Sequence, residues 1–315
     1  MKRKIIQQGN NTLTITLPRP WANEHALKAG MEVDVECLGP SMLVHAGQRK
    51  AVRTATLDVS SMDRTSLMLW IRGLYRQGVD DITVTWKDQT VMHYRTGKPV
   101  KVIAAIHLEV SRLIGAEILE EAEHSCRIRC IAGQPLDDLD AMLRKIYHQL
   151  RQVATDFGNG LKERQWDLLA ATEEKHDTIT KFTSYCLRLL NKQGAVGTAA
   201  SLQYVSINAV DIIVDAYKYA ARDLVEHKPK MSPKAAEMML RICDFTQEFA
   251  STAFSEKSAH ASELLRKRDI FLRDLRERGP KLTGSELLEV TRLSQVLQVM
   301  WELLGARLGM MDAIK

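Results

Sequence analysis

Near residue 136 the hydrophobic pattern of the chain changes from the period of strands to the period of helices. Before this point several segments alternate polar and apolar residues, and after it apolar residues recur every three or four positions. The first such stripe consists of Leu136, Leu139, Leu143, Ile146, Leu150, Val153 and Phe157. Because this spacing puts the apolar side chains on one side of a helix, we predict that residues 136–315 form an all-α bundle.

Breaks between the helical stripes predict about six helices in this segment. Glycine or proline interrupts the pattern at residues 158–160, 192–194, 227–233 and 279–280. Ser232 followed by Pro233 predicts an N-cap with proline in the first helical turn. The pattern therefore predicts two sets of three helices, residues 136–228 and residues 230–315, as in an internal duplication.

Residues 1–47 have the pattern strand, turn, strand, short helix, strand. Residues 9–11 supply the turn, and residues 12–17 alternate polar and apolar side chains as in a strand. The predicted buried face of that strand consists of Leu13, Ile15 and Leu17. A helix of about two turns follows Pro20 and ends before Gly30. A module of this size is too small to bury a core alone, so we expect it to form a dimer.

Residues 50–133 are predicted to form a separate α/β domain. Strands are expected at residues 54–59, 81–86, 90–94 and 126–131, and helices at residues 64–77 and 100–113. The second and third strands are expected to pair around the turn at residues 87–89. The order βαββα followed by a strand is typical of a ferredoxin-like arrangement. No phosphate-binding glycine loop, nucleophile elbow or catalytic pair occurs in the segment. Two roles remain open, a structural spacer and a ligand sensor.

The composition is that of a multidomain, non-secreted protein. The chain has 315 residues, of which 45% are hydrophobic and 26% charged, and single cores rarely grow to this length. Neither a secretory signal nor a run of about 18 apolar residues occurs, so we expect a cytoplasmic protein without direct membrane insertion. Five cysteines without paired spacing predict a reducing compartment. A net charge of +5 is compatible with a nucleic-acid or phosphate-bearing partner.

Two pairs of acidic residues stand out in the helical segment. Glu173 and Asp177 are four residues apart, and so are Asp211 and Asp215, which puts each pair on one helix face. Because like charges at this spacing repel, either a metal ion or nearby basic side chains must offset them. Facing carboxylate pairs would suit a divalent or ferric ion. The alternative is a ladder of ion pairs along one helix, formed by Asp211, Asp215, Lys218 and Arg222.

These acidic helices resemble those of the PhoU family. The resemblance rests on residues 171–177 (ATEEKHD), 185–190 (YCLRLL) and 210–220 (VDIIVDAYKYA). It implies two three-helix repeats that act on a phosphate transporter and its sensor system. It also implies a metal site formed by Glu173, Asp177, Asp211 and Asp215.

The second set of helices departs from this motif. The matching residues there are Leu265 to Asp269 and Gln298 to Glu302, so the first acid of each pair is replaced. A metal site is therefore expected in the first set alone.

The N-terminal segment resembles the AbrB/SpoVT swapped-hairpin family. The resemblance rests on residues 3–9 (RKIIQQG), 15–18 (ITLP), Trp21 and 27–35 (LKAGMEVDV). It implies that two chains interleave their hairpins into one barrel that presents basic residues to DNA. The matching basic residues are Arg3, Lys4 and Arg19. With so few arginines, binding would depend on phosphate contacts and fall steeply with salt.

Two functions follow from these resemblances as hypotheses. The first is a dimeric, DNA-binding regulator of phosphate uptake that senses or contacts phosphate-transport components. The second is an adaptor that does not bind DNA and docks on the ATPase of a phosphate ABC transporter or on a sensor kinase. We do not expect an enzyme, although Glu173 and His176 have the i,i+3 spacing of helix-bundle metalloenzymes.

Overall fold

The computed structural model describes residues 2–9, 12–38, 41–46, 52–130, 139–192, 198–253 and 258–308. They form a mixed α+β structure with a helical C-terminal region, as predicted. The chain divides into two compact units, residues 1–52 and residues 53–315. In the described residues, no helix is both long and apolar enough to cross a membrane.

The N-terminal unit consists of two small hairpins and a short helix. Strands β1 (Ile5–Gln8) and β2 (Thr12–Ile15) pair antiparallel, helix α1 (Arg19–Glu24) follows, and strands β3 (Asp34–Leu38) and β4 (Ser41–His45) form the second hairpin. Strands β1, β2 and β3 and the helix were predicted, whereas β4 was not. Residues 10 and 11 of the predicted turn lie outside the described residues.

None of the residues of this unit whose side chains the structure describes is buried. The apolar face predicted for β2 is exposed in the single chain, with Leu13 70%, Ile15 52% and Leu17 38% accessible. Two isolated two-stranded hairpins cannot enclose a core between them, which explains why these residues are not buried within one copy of the unit.

The second unit begins with a four-stranded sheet. Its strands are β5 (Thr54–Asp58), β6 (Asp81–Thr85), β9 (Ala116–Ala122) and β10 (Ser125–Cys130), in the order β5-β6-β10-β9. Strands β5 and β6 are parallel neighbours, connected by helix α2 (Arg64–Arg76), whose N-cap is Asp63. Strand β10 pairs antiparallel with β6 and β9, and helix α3 (Val102–Val110) precedes β9.

This strand order corrects the ferredoxin-like prediction. In a split βαβ unit another strand lies between the first two, but here β5 is hydrogen-bonded directly to β6. The predicted pairing of β6 with residues 90–94 is also wrong. Strand β7 (Thr90–His93) instead pairs with β8 (Lys98–Lys101) in a separate hairpin. Because β5 takes one edge of β6 and β10 takes the other, β6 has no edge left for β7.

Six long helices and one short helix follow the sheet in the described residues. They are α4 (Leu139–Glu163), α5 (Trp166–Ala170), α6 (Thr172–Lys192), α7 (Thr198–His227), α8 (Pro233–Thr252), α9 (Ser258–Arg278) and α10 (Gly284–Leu308). Helix α4 packs on α8 and α7 packs on α10, while α6 contacts α4 and α7, and α9 contacts α8 and α10. The predicted N-cap is confirmed, since the Ser232 hydroxyl accepts from the Ala235 N–H at 3.3 Å.

The break predicted at residues 158–160 is wrong, because α4 continues through them. Both glycines of this segment are buried and allow close packing instead of a turn. A Cβ on Gly158 would meet Leu240 and Cys243 of α8, and one on Gly160 would lie 2.9 Å from Leu169 Cγ. The helix ends later, before Arg164, which has a positive φ of 54°.

The sheet domain and the bundle share packing on α6. Tyr185 and Leu189 of this helix are buried in the sheet-domain core with residues such as Ile71 and Tyr75 of α2. A second, larger core fills the bundle. Helix α6 therefore contributes to both cores and fixes the sheet domain against the first helices of the bundle.

Candidate functional site

The four acidic residues singled out in the sequence lie on the neighbouring helices α6 and α7. Each of them is bound by a basic side chain. In this structure, basic side chains therefore offset the carboxylate charges.

Asp211 and Asp177 receive arginines from the sheet domain. Asp211, which is 9% exposed, accepts from Arg76 Nη2 at 2.9 Å and from the Thr180 hydroxyl at 2.6 Å. Asp177 accepts from Arg112 Nη2 at 2.7 Å. Arg76 is the last residue of α2 and Arg112 follows α3, so these ion pairs connect the sheet domain to the bundle.

His176 connects the two acidic helices. Its Nδ1 lies 2.9 Å from Asp177 Oδ1, and its Nε2 lies 2.9 Å from Asp215 Oδ1. Burial alone would lower the pKa of His176, but the hydrogen bonds with both carboxylates outweigh burial and raise it above its ordinary value. The His176 ring therefore joins the carboxylates of Asp177 and Asp215.

Asp215 also binds Lys218 one turn further along α7. Burial raises the pKa of Asp215, but the hydrogen bond from His176 and the charge of Lys218 outweigh it and lower the pKa to about 2. Asp215 is therefore ionised at neutral pH and is held by two basic groups.

Glu173 accepts from Arg222 Nη2 at 2.6 and 2.7 Å. The intrahelical ladder is thus present only in part. Lys218 does bind Asp215 within α7, but Arg222 reaches across to α6, and Asp211 takes its arginine from the sheet domain.

Metal coordination does not fit this arrangement of donors. No group of three or more His, Cys, Asp and Glu side chains among the described residues is placed to hold a metal ion. Any metal at Glu173, Asp177, Asp211 and Asp215 would have to displace the bound arginines, lysine and histidine.

Arg188 of α6 is a contact residue that the sequence analysis missed. Its side chain is 3% exposed and donates to the carbonyls of Tyr75 and Val79 at 3.0 and 2.6 Å and to Asp80 Oδ1 at 2.5 Å. It therefore provides hydrogen-bond donors for carbonyl groups at and just beyond the C-terminal end of α2. The signal in the sequence was a single charge in the apolar run of residues 186–190.

A second missed pair lies within the sheet domain. Glu109 is fully buried and accepts two hydrogen bonds from Arg72, at 2.7 and 3.0 Å. Its position in the apolar helix α3 was the available signal, since a buried carboxylate requires a partner.

The three residues assigned to DNA contact are all exposed. Arg3 and Lys4 directly precede β1, and Arg19 is the first residue of α1. No ion pair in the described residues involves any of them. They are therefore accessible to a polyanionic partner.

Comparison with known proteins leaves the family open: no family model matches the chain, and neither the curated proteins nor the solved structures contain a match. The proposed assignment therefore depends on the residues and geometry described above.

Proposed function

We propose that the chain is a dimeric, non-enzymatic regulator of phosphate uptake, with a DNA-binding N-terminal unit and a bundle that contacts the phosphate-transport system. The observation that carries this proposal is the N-terminal unit. It combines exposed apolar side chains in its first hairpin with exposed basic residues, and none of its described side chains is buried. A swapped-hairpin dimer would bury the apolar side chains of the strands and leave the basic residues exposed to DNA.

The bundle supports the second half of the proposal. The first helices of the two sets, α4 and α8, pack together, and so do the last helices of the two sets, α7 and α10. This is the pairing expected of two three-helix repeats related by an internal duplication. In this proposal the partner is the ATPase of a phosphate ABC transporter or a sensor kinase.

Dimerisation is tested by sedimentation of the full chain and of Leu13→Glu. Leu13 is 70% exposed in the single chain, so a charge there is expected to be tolerated by a monomer and to dissociate a dimer. The matched control is Leu69→Glu, on the exposed face of α2 at 57% exposure. A wild type that sediments as a monomer at every concentration would contradict the proposal.

DNA binding is tested by a salt series with the promoter of the chain's own gene. Replacing Arg3, Lys4 and Arg19 by alanine is expected to reduce the slope of log K against log salt by about 0.9 for each lost phosphate contact. Lys28→Ala, another exposed basic residue of this unit, should leave the slope unchanged. An unchanged slope in the triple variant would exclude these residues as DNA contacts.

An adaptor without DNA binding is the second candidate. Exposed Glu24, Glu32 and Asp34 lie in the same unit as the three basic residues and offset their charge. Absence of DNA binding at low salt, together with retention of the transporter ATPase or sensor kinase in a pull-down, would favour this adaptor.

Metal binding is a separate hypothesis that metal analysis can test. Because basic side chains hold all four carboxylates, we expect less than one metal ion per chain in protein purified without chelator. A full equivalent that is lost in Asp211→Asn and Asp215→Asn would show that metal displaces the basic partners.

A further inference from the structure

Basic side chains gather around Tyr219 where the β7–β8 hairpin meets α7. Arg95, in the turn of the hairpin, donates from Nη2 to the Tyr219 hydroxyl at 2.9 Å, and its guanidinium lies 4.9 Å from the ring centroid. Lys218 and Arg222 lie 4.4 and 5.6 Å from the same centroid. One phenol ring is therefore bordered by three cations.

Arg64 and His93 extend this group to the first turn of α2. Arg64 Nη1 lies 3.4 Å from His93 Nε2. Burial lowers the pKa of His93, and the positive charges of Arg64, Arg95 and Arg222 lower it further. His93 is therefore neutral at pH 7 and can accept a hydrogen bond from Arg64.

Arg112 adds another guanidinium. Burial lowers the pKa of Arg64, and the positive charges of Arg112 and Arg95 lower it further. We call the set the basic cluster; it consists of Arg64, His93, Arg95, Arg112, Lys218, Tyr219 and Arg222.

The acidic residues nearby do not neutralise the basic cluster. Lys218, Arg222 and Arg112 are paired with Asp215, Glu173 and Asp177. Arg64 and Arg95 have no carboxylate partner among the described ion pairs.

Two further carboxylates near Arg64 are already engaged. Asp63 accepts from the backbone N–H groups of Thr65 and Ser66 at the start of α2, and Glu109 is held by Arg72. Because backbone N–H groups carry no net charge, Asp63 still offsets one positive charge, and one guanidinium charge of Arg64 and Arg95 remains in excess.

Unused donors also remain in the basic cluster. Arg112 Nε is buried and has no hydrogen-bond partner among the described residues, which is a costly state for a charged group. The Tyr219 hydroxyl accepts from Arg95, so its own O–H can donate elsewhere. Arg95 is exposed and Arg64 partly exposed, which leaves the cluster open to a ligand from solution.

We propose that the basic cluster binds a phosphate-type oxyanion, with Arg64 and Arg95 as its principal ligands and Arg112 and Tyr219 as additional donors. Guanidinium groups match the geometry and charge of phosphate oxygens. A bound anion would offset the excess charge that the polypeptide leaves. The ligand is either free inorganic phosphate or the phosphate group of a larger molecule.

This site gives the sheet domain a function as a ligand sensor. Its residues come from α2, the β7–β8 hairpin, the end of α3 and α7, so a bound anion contacts both the sheet domain and the bundle. The inference follows from the charges alone and does not require that the chain regulates phosphate uptake.

Calorimetric titration of the full chain tests the site, with inorganic phosphate and a nucleoside monophosphate as probes at constant ionic strength in chloride. We expect saturable binding that Arg64→Gln and Arg95→Gln each weaken about tenfold. Arg273→Gln, an exposed arginine of α9, is the matched control. Tighter binding of inorganic phosphate identifies the free ion as the ligand, and tighter binding of the monophosphate identifies a larger phosphate ester.

Thermal unfolding of the same variants separates ligand binding from a structural role. Arg64→Gln and Arg95→Gln each remove one positive charge from a cluster of mutually repelling cations. The melting temperature of these variants without phosphate should therefore not fall, while the increase in melting temperature caused by phosphate should disappear. Absence of saturable binding to the wild type, or equal weakening by all three variants, would overturn the proposal. Neither outcome bears on the DNA titration, which tests the regulatory function separately.

Discussion

The first three long helices of the bundle and the last three differ in how they use charge. Both sets bury apolar stripes in one common core. In the first set, the facing sides of α6 and α7 carry four carboxylates, and arginines of the sheet domain reach two of them. In the second set, Arg268 of α9 contacts Asp269 at 2.7 Å and Gln298 of α10 at 2.9 Å and lies over the Trp301 ring.

The two sets therefore differ in where the partners of their charged side chains lie. The second set also carries ion pairs, such as Arg241 with Asp274 and Lys267 with Glu248, but these join helices of the bundle, whereas α6 and α7 also bind arginines of the sheet domain. Buried ion pairs contribute little net stability but are costly to break, because one partner is left unpaired in a poorly solvated place. The charges of α6 and α7 therefore define where the sheet domain docks.

The largest expected effect comes from Arg188→Met. This change removes the charged donor to the carbonyls of Tyr75 and Val79 and one of the two basic partners of Asp80, which keeps Lys192. The free energy of unfolding should therefore fall by about 2–3 kcal/mol. Arg268→Met in the second set should cost about 1 kcal/mol or less, because its partner Asp269 is exposed. Urea denaturation of both variants measures the contrast, and equal losses would contradict it.

A smaller effect is expected for the contact of Arg76 with Asp211. A double-mutant cycle with Arg76→Gln and Asp211→Asn should give a coupling energy of about 1–3 kcal/mol, as found for partners in one network. The corresponding cycle for Arg268 and Gln298 should give about 0.5 kcal/mol or less, since Gln298 is uncharged and exposed. A larger coupling in the second cycle would reverse the comparison.

The smallest effect concerns Glu286 at the start of α10. Its carboxylate accepts from the N–H of Ser232 at 2.6 Å and from the N–H and hydroxyl of Thr283, both at 2.9 Å. These hydrogen bonds lower the pKa of Glu286 from 4.5 to about 2. Backbone N–H groups therefore stabilise this carboxylate, as arginine side chains stabilise the carboxylates of the first set.

Because the folded pKa is depressed, the stability that Glu286 contributes is present above about pH 4.5 and is lost as the pH falls towards 2. Glu286→Gln should lower the free energy of unfolding by about 1 kcal/mol at pH 7, as for loss of a capping box. The difference from the wild type should shrink between pH 4.5 and pH 2. A difference that is constant with pH would show that the charge is irrelevant.

Local periodicity was enough to predict most of the helices, but it could not identify their partners. The stripe from Leu139 to Phe157 gave α4, and Ser232 with Pro233 gave the start of α8. The same spacing put Asp211 and Asp215 on one face of a helix. It could not show that Arg76 would reach Asp211, because a contact between residues so distant in sequence depends on how the sheet domain docks.

Two errors have physical causes of the same kind. Alternation in residues 90–94 predicted a strand but could not reveal that β5 and β10 take both edges of β6. Gly158 and Gly160 suggested a break, yet both serve close helix packing, which depends on the neighbouring helix. The basic cluster was hidden for the same reason, since its arginines come from separate segments.

The absence of a side chain at Gly160 has a consequence for the placement of the acidic helices. Leu169 of the short helix α5 fills the space where a Cβ would be, 2.9 Å from its Cγ. Helix α5 leads directly into α6 at Thr172, one residue before Glu173. A single methyl group at this position of α4 would therefore collide with Leu169 and displace α5, the segment that leads into the acidic helix α6.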